Sequence, residues 1–299
     1  MLVFFLLFAS DCSASKSSLR IYGGRDASPG EYPYVVRLEI RRVANFTNNT
    51  IVAEHDHVCT ASALTATWAV TAAHCITDLS NHFLGDPWTE EKLIVRYGHV
   101  DNSVWMNDTF SDVISTVPHP LYTYTYGMYN VKSLSENDIG LVETTSMPLK
   151  RIIKLSAVDY MSMYGHEAVI AGYGLTTKRL PGGEIITDDT LQLRKPLQVL
   201  SVMITKCSEY EQLLPSLCLA PRCGHTVIVC DGDSGGPLIH PSGISGVLSL
   251  AEGSGVPSKR VAYSVPLVVF DLLVDRRLTA AFPEVYVEDS CYQRLGADA

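Results

Sequence analysis

Short apolar runs, broken by glycine, proline and polar clusters, recur along most of the chain. Residues 34–40 alternate in part between apolar and polar positions and predict a strand with one face in a core. Turn residues Pro29, Gly30 and Pro33 precede them. Residues 58–64 and 68–71 predict a hairpin that leads to His74. Residues 93–97 and 112–117 read as further strands, the second stopped by Pro118 and Pro120. A later series covers residues 168–174, 191–193, 197–200, 205–207, 217–219, 243–250 and 261–265. Many short strands with little helical periodicity predict an all-β chain of sandwich or barrel type, and the pattern does not distinguish the two. Near the end, apolar residues at 267, 268, 270, 272, 273, 274 and 278 fit a terminal helix packed on the second core.

Composition narrows the class. At 299 residues the chain is long enough for sizeable cores, in two units or in one large all-β domain. A formal net charge of -9 argues against a nucleic-acid partner, which would want a basic face. Eight cysteines in a chain of this length suggest a few disulfides reinforcing a real core, and so an oxidising compartment. Residues 2–9 are apolar and too short to span a bilayer. Cys12, Ser13 and Ala14 form a small-residue cleavage site, so residues 1–14 are expected to be a signal peptide of a secreted protein. The alternative is a buried apolar strand. No other stretch approaches a membrane span; residues 265–274 are short and interrupted by Pro266 and Asp271. Sequons at Asn45, Asn48 and Asn107 are candidate glycosylation sites on exposed loops.

The candidate chemistry is concentrated in three segments. Residues 230–237 read Cys, Asp, Gly, Asp, Ser, Gly, Gly, Pro. Glycines on both sides of Ser234 permit a tight turn that pushes one hydroxyl outward and aims successive N–H groups at one small volume. Such turns usually only connect strands. Upstream, however, residues 71–75 read Thr, Ala, Ala, His, Cys, and residues 137–141 read Asn, Asp, Ile, Gly, Leu. A histidine, an aspartate and a serine in that order are the parts of an activated nucleophile. Together with Ile21, Tyr22, Gly23 and Gly24, these segments make the chain resemble a trypsin-like serine protease of the chymotrypsin family, from Ile21 to about Tyr263.

The resemblance implies two six-stranded antiparallel β-barrels with the active-site cleft between them and a C-terminal helix. It implies Ser234 as nucleophile, His74 as general base, and Asp138 as the residue that orients His74, with Ser249 bonded to the aspartate. The N–H groups of Gly232 and Ser234 would form the oxyanion hole. It also implies a zymogen. Residues 15–20 would be a pro-segment, residues 21–278 the peptidase domain and residues 279–299 a tail. Cleavage after Arg20 by an activating protease would free the Ile21 amino group to pair with Asp233. Disulfides are implied between Cys59 and Cys75, and between Cys207 and Cys218.

Departures from the family set the finer expectations. Ile228 occupies the floor of the primary pocket, where enzymes that cut after Lys or Arg have aspartate. It cannot offset a buried cation. With Ala251 and Val261 as walls, the pocket is expected to accept small or medium apolar P1 residues of protein or peptide substrates. The family's partner for Cys230 is missing, so Cys230 pairs with Cys223 or Cys291 or stays free. Thr60 replaces a family glycine and is expected to narrow the leaving-group side of the cleft. Residues 122–129, with four tyrosines, read either as a loop at the cleft edge that contacts substrate or as a merely structural loop. The pair His55 and His57 reads as a polar loop end rather than a metal site, and no cofactor is expected. An altered pocket, the missing cysteine and Thr60 leave a second reading open, a non-catalytic homologue that acts as a binding or inhibitory protein.

Overall fold

The protein is described by a computed structural model covering residues 24–45, 51–77, 89–98, 109–125, 134–174, 177–179, 185–187, 196–207, 216–221, 229, 232–250 and 262–266. Its strands, in chain order, are β1 (Arg25–Asp26), β2 (Val35–Asn45), β3 (Ile51–Ala63), β4 (Trp68–Thr71), β5 (Thr89–Arg96), β6 (Phe110–Pro118), β7 (Thr123–Thr125), β8 (Leu134–Glu136) and β9 (Gly140–Thr144). They continue with β10 (Glu167–Gly172), β11 (Thr177–Arg179), β12 (Ile185–Thr187), β13 (Gln198–Thr205), β14 (Leu217–Pro221), β15 (Pro237–His240), β16 (Gly243–Leu250) and β17 (Ala262–Pro266). Helix among the described residues is limited to α1 (His74–Thr77) and a 3-10 turn at Tyr160–Met163.

Two closed sheets result. The first is a barrel in the order β2-β3-β4-β9-β6-β5. Every other residue of β2 points inward, so Val36, Leu38 and Ile40 join Ala61, Val70, Val95, Ile139 and Leu141 in one core. The second runs β1-β13-β10-β15-β16-β17-β14, and an added β13–β14 pairing closes six of its seven strands on themselves. Its core holds Ile170, Val202, Ile204, Leu217, Leu219, Leu238 and Leu248. The all-β, two-barrel expectation therefore holds. The expected terminal helix, the leader and pro-segment, and the expected strand at residues 191–193 lie outside the described residues.

Strand lengths depart from the pattern where both faces turn polar. β2 and β3 extend to 11 and 13 residues and pair as far as Asn45 with Ile51. Here cross-strand ion pairs replace apolar alternation: Arg42 bonds Glu91 through Nε at 2.6 Å and also meets Asp56. His55 and His57 thus lie within β3, not at a loop end. Asn45, expected on a loop, is the last residue of β2. Within the tyrosine segment, residues 123–125 form β7 and pair with β8 as a small ribbon.

The outward face of β2 carries a buried charge cluster. Glu39 is 0% exposed and accepts from Arg96 Nε at 3.1 and 2.9 Å, with His55 Nδ1 3.4 Å away. Arg37 lies 4.0 Å from Glu39, and its guanidinium sits 4.5 Å from the centre of the Tyr173 ring, which belongs to the second barrel's side of the molecule. Burial pushes the Glu39 carboxyl up, but the His55 bond and the two guanidinium groups outweigh it and hold the group below its ordinary value. Burial also pushes the Tyr173 hydroxyl up to about 12. Replacing Glu39 by alanine would remove the buried carboxylate that Arg96 and Arg37 face. The expected cost is about 3–5 kcal/mol of unfolding free energy, measured by urea denaturation.

Candidate active site

The histidine segment is positioned by its two ends. β4 delivers Ala72 and Ala73 into the interior, and His74 opens α1, where the disulfide Cys59–Cys75 ties the turn back to β3. Asp138 lies just before β9. Asn137 at φ 52° turns the chain there, its amide donating to the Leu121 carbonyl at 2.9 Å. Asp138 is completely buried. It accepts from the His74 N–H at 2.8 Å through Oδ1, from His74 Nδ1 at 2.7 Å through Oδ2, and from the Ser249 hydroxyl at 2.5 Å. Burial pushes this carboxyl up, but the His74 ring bond and charge, the Ser249 hydroxyl and the His74 N–H together hold it below its ordinary value. An ionised carboxylate only accepts, so Nδ1 carries the proton and the neutral ring keeps its lone pair at Nε2.

Ser234 sits in the turn that enters β15. The Thr60 N–H donates to its carbonyl at 2.9 Å, and the next residue, Gly235, donates to the Leu248 carbonyl at 2.8 Å. Those two bonds bring the three segments together. Thr60 adjoins Cys59, which is bonded beside His74, and Leu248 adjoins Ser249, which holds Asp138. Two glycines of the turn have no substitute. Gly235 has φ +80°, and a Cβ there would lie 2.1 Å from Thr71 Oγ1 and 2.2 Å from the Thr60 carbonyl oxygen. Gly232 has φ +90°, and a Cβ there would lie 2.8 Å from the His57 ring. Asp233 is 1% exposed and accepts from the Gly174 N–H at 2.8 Å.

Thr60 does not narrow a cleft. It is 0% exposed, and its hydroxyl points into the protein, donating to the Gly232 carbonyl at 2.8 Å. His57 Nε2 approaches the same carbonyl at 3.1 Å. Neither contact was legible in sequence, because the paired residues are 172 and 175 positions apart. Cys207 and Cys218 are bonded as expected. Ile228, Ala251, Val261, Arg20, Ile21, Cys223, Cys230, Cys291, Asn48 and Asn107 lie outside the described residues. Among the described residues, Cys59, His74 and Cys75 form one compact group of metal-type donors. Its two sulfurs are bonded to each other, which leaves a single imidazole. No helix of the described residues is long and apolar enough to cross a membrane.

A family model described as Trypsin matches residues 21–269. Transmembrane protease serine 5 of Homo sapiens is 26% identical over 274 residues, covering 90% of this chain and 54% of that protein. Trypsin eta of Drosophila melanogaster is 29% identical over 270 residues, covering 88% of this chain and 90% of that one. Hepatocyte growth factor activator serine proteases of Canis lupus familiaris is 27% identical over 273 residues, covering 86% and 36%. The chain thus spans about half of the first relative, nine-tenths of the second and a third of the last. Among solved structures, HL collagenase superposes with a TM-score of 0.57 at 18% identity, over 87% of this chain and 99% of that one, a likeness of fold.

Proposed function

The chain belongs to the trypsin family of serine endopeptidases, and we propose that it cleaves peptide bonds through an acyl-enzyme formed on Ser234. The observation that carries this reading is the buried Asp138 carboxylate, bonded at once to His74 Nδ1, the His74 N–H and Ser249. It leaves Nε2 of His74 to act as base. In this mechanism the Ser234 hydroxyl attacks the scissile carbonyl as Nε2 takes its proton. The C–N bond then breaks, and His74 returns the proton to the leaving amine. Water attacks the remaining ester with the same ring as base, the acid departs, and the proton returns to Ser234. The N–H groups of Gly232 and Ser234 receive the charge that develops on the carbonyl oxygen, each worth about 3 kcal/mol.

The proposed enzyme is made for export in an inactive form. It is a secreted zymogen, with a signal peptide over residues 1–14 and activation after Arg20 by another protease. The freed Ile21 ammonium pairs with Asp233. The depth of Asp233 supports this, since a carboxylate in the interior is stabilised by a cationic partner. The two disulfides support an oxidising compartment. Asn45, Asn48 and Asn107 carry glycans. Ile228, Ala251 and Val261 shape a short apolar pocket, and the substrates are proteins or peptides with small or medium apolar P1 residues.

A P1-scanning peptide library, read by mass spectrometry, tests the whole reading. The sample is protein cut after Arg20, with Ser234→Ala as control. The expected result is cleavage after Ala, Val or Leu, absent in the control. Cleavage after Arg or Lys would overturn the pocket assignment. Silence in a folded sample with Ile21 free would favour the non-catalytic binding protein instead. That alternative drew partly on Thr60, which lies in the interior and blocks nothing.

A further inference from the structure

Thr60 uses every polar atom it has. Its N–H donates to the Ser234 carbonyl at 2.9 Å, and its carbonyl accepts from the Thr71 hydroxyl at 2.8 Å. Its hydroxyl donates to the Gly232 carbonyl at 2.8 Å and accepts from the Tyr173 N–H at 3.0 Å. The two main-chain bonds need only a strand at this position. A glycine would keep them. The two hydroxyl bonds need a side chain, and they link three distant segments: β3 of the first barrel, the end of β10, and the turn that holds Ser234.

The acceptor is a sensitive one. The Gly232 carbonyl belongs to the peptide unit between Gly232 and Asp233. That unit lies between the two N–H groups assigned to the oxyanion hole, one on Gly232 and one on Ser234. Gly232 has φ +90° and no Cβ, so little in its own covalent structure resists rotation about ψ. A bond to its carbonyl restrains that rotation from outside. Thr60 is suited to the task because it is buried and its oxygen is already fixed by the Tyr173 N–H. The donated hydrogen therefore has one direction left.

We propose that Thr60 is a positioning residue, whose hydroxyl holds the Gly232–Asp233 peptide so that the Gly232 and Ser234 N–H groups converge on one oxyanion. The proposal rests on the reading of those two N–H groups as the oxyanion hole. It assigns to Thr60 an effect on the transition state and none on substrate binding. His57 remains on the same carbonyl when the hydroxyl is removed, so the loss is partial.

The test uses the full chain cleaved after Arg20 and the variants Thr60→Val, Thr60→Ser and Thr60→Gly. Thr60→Val keeps the shape and deletes the hydroxyl. Its kcat is expected to fall about tenfold with KM little changed, the scale of one lost buried hydrogen bond acting through a preorganised turn. The affinity of a peptidyl aldehyde, which forms a tetrahedral oxyanion on Ser234, should fall by the same factor. Thr60→Ser should restore both. Should the valine variant not fold, Thr60→Gly, which keeps the main-chain bonds, should show the same loss of kcat and aldehyde affinity. Wild-type kcat in the folded valine or glycine variant would overturn the proposal. So would a change confined to KM, or a serine variant as impaired as the valine one. Labelling of Ser234 by an organophosphonate separates the two levels. Failure of the wild-type chain to label overturns the protease reading itself, whereas equal labelling rates in wild type and Thr60→Val overturn only the role of Thr60.

Discussion

Replacing Ser234 by alanine is expected to lower kcat by about 10⁵-fold or more while leaving stability within about 0.5 kcal/mol of wild type. The substitution removes one hydroxyl and nothing that shapes the turn. The Ser234 carbonyl still accepts from Thr60, and Gly235 still donates to Leu248. The positive φ values at Gly232 and Gly235 are untouched. What disappears is the group that would form the acyl-enzyme, and water must then attack without it. The Gly232 and Ser234 N–H groups proposed as the oxyanion hole would remain, so a small residual rate is expected over the uncatalysed reaction. Initial rates on a peptide substrate, with a urea titration beside them, measure both quantities. Retained activity in a sample free of contaminating protease would show that Ser234 is not the nucleophile.

Replacing Asp138 by asparagine is expected to lower kcat near neutral pH by about 10⁴-fold, and the direction follows from the bonds to His74. Oδ1 faces the His74 N–H, a donor that cannot become an acceptor. The amide oxygen of asparagine must therefore occupy that position. Its NH₂ then faces the His74 ring where Oδ2 stood, 2.7 Å from Nδ1. Nδ1 is forced to accept, the ring proton moves to Nε2, and the ring can no longer take the Ser234 proton. The Ser249 hydroxyl can rotate to accept from the new amide, so the fold should survive. Nuclear magnetic resonance of the His74 ring nitrogens would show the exchanged tautomer. Unchanged kcat, or an unchanged tautomer, would contradict the assignment.

The same residue sets a pH dependence of stability. The Asp138 carboxyl in the folded chain lies below its ordinary value. The unfolded chain therefore binds the proton more readily, and Asp138 adds stability that is complete above the unfolded value of about 4 and is lost as pH falls through the folded value. Asparagine has no such transition, so its acid limb should be flatter than that of wild type. Urea midpoints measured from neutral pH down through this window give the comparison. Parallel curves would mean that the His74 and Ser249 bonds do not hold the carboxylate below its ordinary range.

Much of this protein could be read before any coordinates. The segments around His74, Asp138 and Ser234 announce themselves because the turn and the triad need fixed residue types at fixed short spacings. Gly232 and Gly235 are visible for the same reason: a backbone at positive φ admits little else. Most strands of both barrels follow from short apolar runs bounded by turn residues, since the cores bury them. The reading failed where that cause was absent. β2 runs on past Ile40 and β3 begins before Val58 because charged pairs, Arg42 with Asp56 of β3 and with Glu91 of β5, support them, and such pairs leave no apolar period. Thr60 was noticed only as a misplaced residue, and its assigned place at the cleft was wrong. Its hydroxyl partners lie 113 and 172 positions along the chain. Nothing along the chain marks Glu39, Arg37 and Arg96 as interior, yet packing between and over the strands buries them against one another. The sequence by itself determined the class of the fold and marked the candidate site residues, because repeating burial and the short spacings of a turn are written locally along the chain. Only the tertiary structure decided which hydroxyl bonds the Gly232 carbonyl and which charges lie inside, because a hydrogen bond or an ion pair is decided by distance in space, which spacing along the chain does not encode.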